Sequence, residues 1–453
     1  MTHARPFTHD EPGTDESTWL LDARWDSVAR LARDTVPRRY PHVMVIAPHP
    51  NDETLALGTT LADLAGGAAT VTVIITTYGG GGAGSTERRV EGERALSALG
   101  DHILTHWWDF PDGALGGATD AIIDRLSDRI GAHFLLLAPV ECDGHSDHEA
   151  VSVAAEVCAR EGRCAALLLY PVWLWHWATP DDVDFARQRT TAPSLPAMSA
   201  KDSALNCYVS QLNSADGSPV IGPALRTRAR RVIETVLIPL PADLAARVDG
   251  HIAKPRSRAE IAQSFDPMLN DGVTDPWRLD ASEYEKRRLA QTLARLGRPR
   301  YHRVLEIGCS TGQLAERLRA HADYAVGLDA SDRALDAARA HRRGALDCRH
   351  SAGGHTARTV RPHRVSEVTY FLNGPDLYAT LRAVRRRLRP RGEILIANYA
   401  APTQDTPLDG PTVHRQAEAV LDLPMRARYQ DADLTIQAWG EPRSLHQEYG
   451  GVS

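Results

Sequence analysis

At 453 residues, with 43% apolar and 24% charged side chains, the chain is too long for one ordinary core and too balanced in composition for a disordered one. A formal net charge of −6 argues against a general nucleic-acid binder, although residues before about 265 are acidic and those after it are Arg-rich. Nowhere do about 18 uncharged apolar residues run together, so no membrane-spanning helix is expected.

The opening stretch MTHARPFTHDEPGTDES is polar and lacks the apolar core of a secretory signal, and residues 1–39 read as an N-terminal extension. Six scattered cysteines contain no CxxC pair; reduced thiols and a cytoplasmic location are the expectation. HVMVIA (42–47) and TVTVIITT (70–77) are β-branched and bounded by turns, as buried strands are. Between them DETLALGTTLADLAGG has helical spacing and a Gly-Gly stop. GSTERRVEGERALSALG (84–100) reads as a further helix and HFLLLAPV (133–140) as a further strand. Strands alternating with helices predict a parallel sheet covered on both faces, with sites beyond the C-terminal ends of the strands.

PHPNDE (48–53) and VECDGHSDHEA (140–150) fall at such ends. His49, Asp52, His145 and His148 are residue types that hold a divalent cation and leave a coordination position open. Asp147 lies between the last two histidines, available to orient a ring. The first motif followed by DGHSDHEA resembles the LmbE/PIG-L family of zinc-dependent N-acetyl deacetylases. That resemblance covers roughly residues 40–240 and implies His49, Asp52 and His148 as metal ligands. It further implies His145 as the group stabilising a tetrahedral intermediate, and Arg88 (in ERRVEGERALSALG) and Asp112 (in FPDGAL) as substrate contacts. YPVWLWHW (170–177) and KDSALNCYVSQL (201–212) resemble later segments of a bacterial subgroup. WLWHW reads either as a stacking platform for a substrate ring or as core aromatics.

One position departs from the family. Its general base is the first of two consecutive acids, and Asn51 stands there; an amide cannot accept a proton near neutral pH. Three readings follow: another base is recruited (Asp147, His145 or Glu53), hydrolysis is lost and binding kept, or the reaction has changed. The family's acidic turn after the second strand is here TYGGGG (77–82), which reads as a flexible lid.

Residues 241–265 loosen into a Pro/Gly/Asp linker, and 266–453 form a second domain. RVLEIGCSTGQLAERLRA (303–320) gives strand, glycine turn and helix, and YAVGLDAS (324–331) a second strand ending in an acid. Glycines there let a cofactor approach the backbone, and Asp329 suits ribose hydroxyls. With an acid two positions before its first glycine, LEIGCSTG resembles class I S-adenosylmethionine-dependent methyltransferases, and residues 266–440 resemble the nodulation-type N-methyltransferases. The resemblance implies a donor site at Glu306, Gly308, Cys309, Gly312 and Asp329. The family's fourth strand is replaced by the short, polar TVRPHRVSEV (359–368).

The fold expected is therefore α/β, two Rossmann-like domains in series. An amide nitrogen is a poor nucleophile because its lone pair is delocalised. Deacetylation frees an amine that the second half can methylate. The expected activity is deacetylation of an amino-sugar-like small molecule followed by N-methylation, with Zn2+ or another divalent cation and S-adenosylmethionine as cofactors. The alternative is a methyltransferase whose first half only docks substrate. Neither nucleic acid nor membrane is an expected partner.

Overall fold

A computed structural model describes the chain except for residues 1–6, 32–34, 81–82, 214–217, 241–251, 254–256, 264, 270–277, 279–280, 342–346, 351–362, 367–368, 402–405 and 442–453. Two compact units result, Met1–Lys254 and Pro255–Ser453. Most of the expected linker lies outside the described residues; within it Ile252–Ala253 form a strand and Arg258–Ala262 a helix. Among the described residues no helix is long and apolar enough to cross a membrane.

The first unit is built on a nine-stranded sheet. Its strands are β1 (Ala29–Leu31), β2 (His42–Ala47), β3 (Thr70–Ile75), β4 (Leu104–Trp107), β5 (Phe134–Pro139), β6 (Ala166–Tyr170), β7 (Gln188–Thr191), β8 (Glu234–Leu237) and β9 (Ile252–Ala253). The order is β4-β3-β2-β5-β6-β8-β7-β1-β9, with β2 to β6 mutually parallel and β8 antiparallel to both β6 and β7. β1 comes from the stretch before residue 40, which also buries Trp19 and Trp25. Val43, Val45, Val73, Leu135, Leu137 and Leu168 form the middle of the core, because strands covered on both faces must be apolar throughout. After β2 the chain moves outward through β3 and β4, then returns to lay β5 on the other side of β2. That reversal opens a crevice beyond the C-terminal ends of β2 and β5. Helices Asp52–Ala65 and Ser146–Arg160 start there, the first with Asp52 and Glu53 in its opening turn, where negative charge is favoured.

The second unit carries β10 (Tyr301–Ile307), β11 (Ala322–Asp329), β12 (Asp347–His350), β13 (His363–Ser366), β14 (Glu393–Tyr399), β15 (Met425–Gln430) and β16 (Leu434–Gly440). Their order is β12-β11-β10-β13-β14-β16-β15, parallel from β12 to β14 and antiparallel at β16 and β15. The short fourth strand expected from TVRPHRVSEV is β13, four residues long, pairing with both β10 and β14; residues 359–362 and 367–368 of that stretch lie outside the described residues. Both units are thus α/β with the reversal of strand order beside the first strand–turn–helix motif.

Candidate active sites

The crevice of the first unit gathers the histidines at one carboxylate. Asp52 Oδ2 lies 3.3 Å from His49 Nδ1 and 3.2 Å from His148 Nε2, and it accepts the His49 backbone N–H at 2.9 Å. His49 and His148 rings are 5.4 Å apart, and His145 stands 4.8 Å and 5.0 Å from them. On its far side His49 Nε2 meets Asp112 Oδ1 at 2.9 Å and Asp147 Oδ2 at 3.3 Å. His148 Nδ1 is 2.7 Å from Asp143 Oδ2.

Asp143 is a functional residue that sequence reasoning missed. It is fully buried and accepts the backbone N–H groups of Val172, Trp173 and Leu174 at 2.8–3.1 Å. Its contact fixes which His148 nitrogen faces Asp52, the arrangement in which a carboxylate behind an imidazole makes it a better ligand. Only an acid two positions before His145 hints at it in the sequence. Trp177 Nε1 donates to the Asp143 carbonyl at 3.0 Å, and Trp175 packs edge-on to Trp19 at 4.7 Å. WLWHW therefore serves the core and the support of Asp143, with Leu174, Trp175, His176 and Trp177 all buried.

Charge in this crevice is lopsided. Four carboxylates (Asp52, Asp112, Asp143, Asp147) touch two imidazoles. Burial opposes ionisation of Asp52, but His148 and His49 outweigh it and hold the carboxyl well below its usual range. Burial likewise opposes protonation of His148, yet Asp52 and Asp143 lift it to about 9. The hydrogen bond from His49 brings Asp112 down to about 2. His148 Nε2, fully buried, makes no hydrogen bond although it faces Asp52. A buried imidazole nitrogen aimed at a carboxylate, in a pocket of excess negative charge, fits a divalent cation, which would take the place of the proton there. Either His49–Asp52–His148 or His49–His145–Asp147 offers ligand atoms within 4.8 Å of one another. The first set is the better one, because Asp147 is already committed to its surroundings: Oδ2 accepts the backbone N–H of Gly113 at 2.8 Å and meets His49 Nε2 at 3.3 Å, and Oδ1 accepts that of Leu115 at 3.0 Å.

His145 caps the helix Ser146–Arg160 by accepting the Asp147 backbone N–H at Nδ1, 3.2 Å away. Burial lowers its pKa, so the ring is neutral at pH 7 and, with Nδ1 accepting, carries its proton on Nε2. It is a donor there, not a base. Asn51 is 95% buried at φ +140, a strained backbone for a side chain other than glycine. Its amide donates to Gln211 Oε1 at 2.5 Å. Glu53 is held by Thr54 and Tyr208 hydroxyls at 2.7 and 2.8 Å and by the Asn51 backbone N–H at 3.2 Å. At the mouth, Asp112 accepts the Gly80 N–H at 2.5 Å, and the Arg88 guanidinium lies against Gly79, where an added Cβ would meet it at 2.9 Å. Gly79 and Gly80 both have positive φ, which is what lets the chain turn under Arg88.

In the second unit Glu306 is buried near the end of β10. Gly308 (φ +76) and Gly312 (φ +87) are left-handed, and the turn between them is pinned to β11: Gly308 and Cys309 N–H both donate to Leu328 O, at 2.8 and 3.0 Å. Asp329 closes β11, its two oxygens accepting the N–H of Ser310 at 2.9 Å and of Ser331 at 3.0 Å. The carboxylate keeps acceptor capacity for a hydroxyl, and the buried Ser310 Oγ makes no hydrogen bond. A glycine-bounded turn beside a carboxylate with spare lone pairs fits the nucleoside end of a donor.

These features define a two-unit α/β protein with a cation-type crevice first and a nucleotide-type turn second. Residues 44–159 match the PIG-L family, GlcNAc-PI de-N-acetylase, and residues 266–399 match NodS, nodulation protein S. The chain is 36% identical over 66 residues to Nodulation protein S of Rhizobium tropici, which is 14% of this chain and 28% of that protein. Among solved structures, N-methyltransferase NodS from Bradyrhizobium japonicum WM9 with S-adenosyl-L-homocysteine is 24% identical, at a TM-score of 0.34 over 40% of this chain and 99% of the other. The A40926 pseudoaglycone deacetylase Dbv21 is 21% identical, at a TM-score of 0.37 over 44% and 97%.

Proposed function

We propose that the chain removes an N-acetyl group from an amino-sugar-like or related small molecule and methylates the freed amine with S-adenosylmethionine, in specialised metabolism. What carries this reading is the convergence of His49, Asp52 and His148 on one point, with Asp143 behind His148. Those three residues would hold Zn2+ or another divalent cation, which supplies Lewis acidity toward a carbonyl and acidifies water. The His145 Nε2 proton serves an oxygen that gains negative charge, while Asp147, fixed by two backbone N–H groups, sets the cap that orients the ring. Arg88 and Asp112 bind substrate polar groups at the mouth. Loss of the acyl group restores the nitrogen lone pair, which makes the product a methyl acceptor that the amide is not. Glu306, Gly308, Cys309, Gly312 and Asp329 hold the donor.

A second reading has its own observation. The Asn51 amide is tied to Gln211, so the base position is both chemically silent and engaged. On this reading the first unit keeps cation and substrate binding, and methyl transfer is the sole reaction. The two are separated by incubating the full chain with Zn2+, S-adenosylmethionine and N-acetylated or free chitooligosaccharides and aminocyclitols. Acetate release followed by methyl transfer supports the first reading. Methylation of the free amines with no acetate from any acetylated partner overturns it in favour of the second.

A further inference from the structure

The helix Asp52–Ala65 is gripped at its middle by two side chains from outside it. Leu55 O accepts Lys201 Nζ at 2.8 Å. The N–H groups of Thr59 and Thr60 donate to Glu234 Oε1 and Oε2, both at 2.8 Å. In a regular helix Leu55 O and Thr59 N–H serve one another, so Lys201 and Glu234 hold the two ends of one rung of the ladder. Lys201 and Glu234 are 2.7 Å apart, each 3% exposed. Gly58 is what admits Lys201, since a Cβ there would fall 2.8 Å from Lys201 Cγ. Lys201 comes from the helix Leu195–Leu205, within KDSALNCYVSQL, and Glu234 opens β8.

The helix runs unbroken from Asp52 to Ala65, so contacts that fix its middle also fix its first turn. The segment on the N-terminal side of this grip is Asp52–Leu55, the turn that holds Asp52 against His49 and His148. Buried ion pairs contribute little net stability compared with apolar residues of the same size. Geometry is the better reason for this one.

We infer that Lys201 and Glu234 are a positioning pair, which sets the direction of the turn bearing Asp52 and thereby aims its carboxylate at the cation. The inference rests on the reading of His49, Asp52 and His148 as a cation site.

Gly58→Ala separates this role from plain stability. Alanine is the better helix former and leaves both charges in place, yet its Cβ pushes the Lys201 stem away from the helix. The full-length chain, Gly58→Ala and the double variant Lys201→Met/Glu234→Met are stripped of metal and titrated with Co2+ against a competing chelator. Circular dichroism and metal-free melting are followed in parallel. Both variants should keep their helix content, bind Co2+ about tenfold more weakly or worse, and show an altered visible absorption band. Folded variants with wild-type Co2+ affinity and spectrum overturn the inference. A wild-type chain that binds no Co2+ overturns the cation reading beneath it, a separate and distinguishable failure.

Discussion

Asn51 gives its side-chain N–H to Gln211 Oε1 at 2.5 Å, and Gln211 gives its own to the Pro50 carbonyl at 3.1 Å. The base position of the crevice is thereby locked into a carboxamide chain 160 residues long in sequence separation. Of the side chains beside it, Asp147 is tied to two backbone N–H groups, His145 presents a donor, and Glu53 is held by Thr54 and Tyr208.

Restoring a carboxylate at this one position is expected to restore proton transfer. In Asn51→Asp the Gln211 amide can turn its N–H toward the new acceptor, so the partner that locks asparagine would orient aspartate. General-base catalysis contributes about 10²–10⁴-fold, and acetate release from an N-acetylated amino sugar should rise within that range. Equal rates in both proteins would mean that position 51 takes no part in the proton transfer.

Asp143 makes a prediction about metal that does not involve a ligand. Asp143→Asn weakens the contact with His148 Nδ1 and removes charge from an oxygen pair that accepts three backbone N–H groups. Cation affinity should fall by about 10–100-fold, measured by competition with a chelator, while helix content is kept. Unchanged affinity would take Asp143 out of the centre.

Much of this was legible because it is local. The β-branched run His42–Ala47 is β2 itself, and the turn after it carries His49 and Asp52 where strand and helix must join. Glycines in LEIGCSTG are where left-handed backbone is required. What the sequence hid is tertiary. Gln211 reaches Asn51, and Lys201 and Glu234 reach the helix Asp52–Ala65, across more than a hundred residues with no periodicity to mark them. Trp175 was ambiguous for the same reason: its partners Trp19 and Trp25 come from a polar-looking N-terminal stretch.

The donor turn of the second unit makes a prediction separable from the first. Asp329→Asn removes charge from a group that holds Ser310 and Ser331 N–H and would serve the ribose hydroxyls. Hydrogen bonds to a charged group contribute about 1.5–3 kcal/mol, so S-adenosylhomocysteine binding by calorimetry should weaken by about 10–100-fold. Co2+ binding by the same protein should not change. Full-strength donor binding in the variant would remove Asp329 from the site.

His414 gives the second unit an acid limit. It sits on the helix Gly410–Leu421 with Nδ1 2.9 Å from Gln437 Oε1, which places its proton on Nδ1 and leaves Nε2 buried without a hydrogen bond. Burial pushes the imidazole from 6.5 down to about 4. The unfolded chain takes the proton first as pH falls, and the folded chain refuses it until about 4. Stability present above pH 6.5 is therefore lost across that window, by roughly 3 kcal/mol at most. Urea unfolding followed through the buried Trp439 should show this loss between pH 7 and 4, and His414→Gln should flatten it. Parallel losses in the two proteins would place the acid sensitivity on another group.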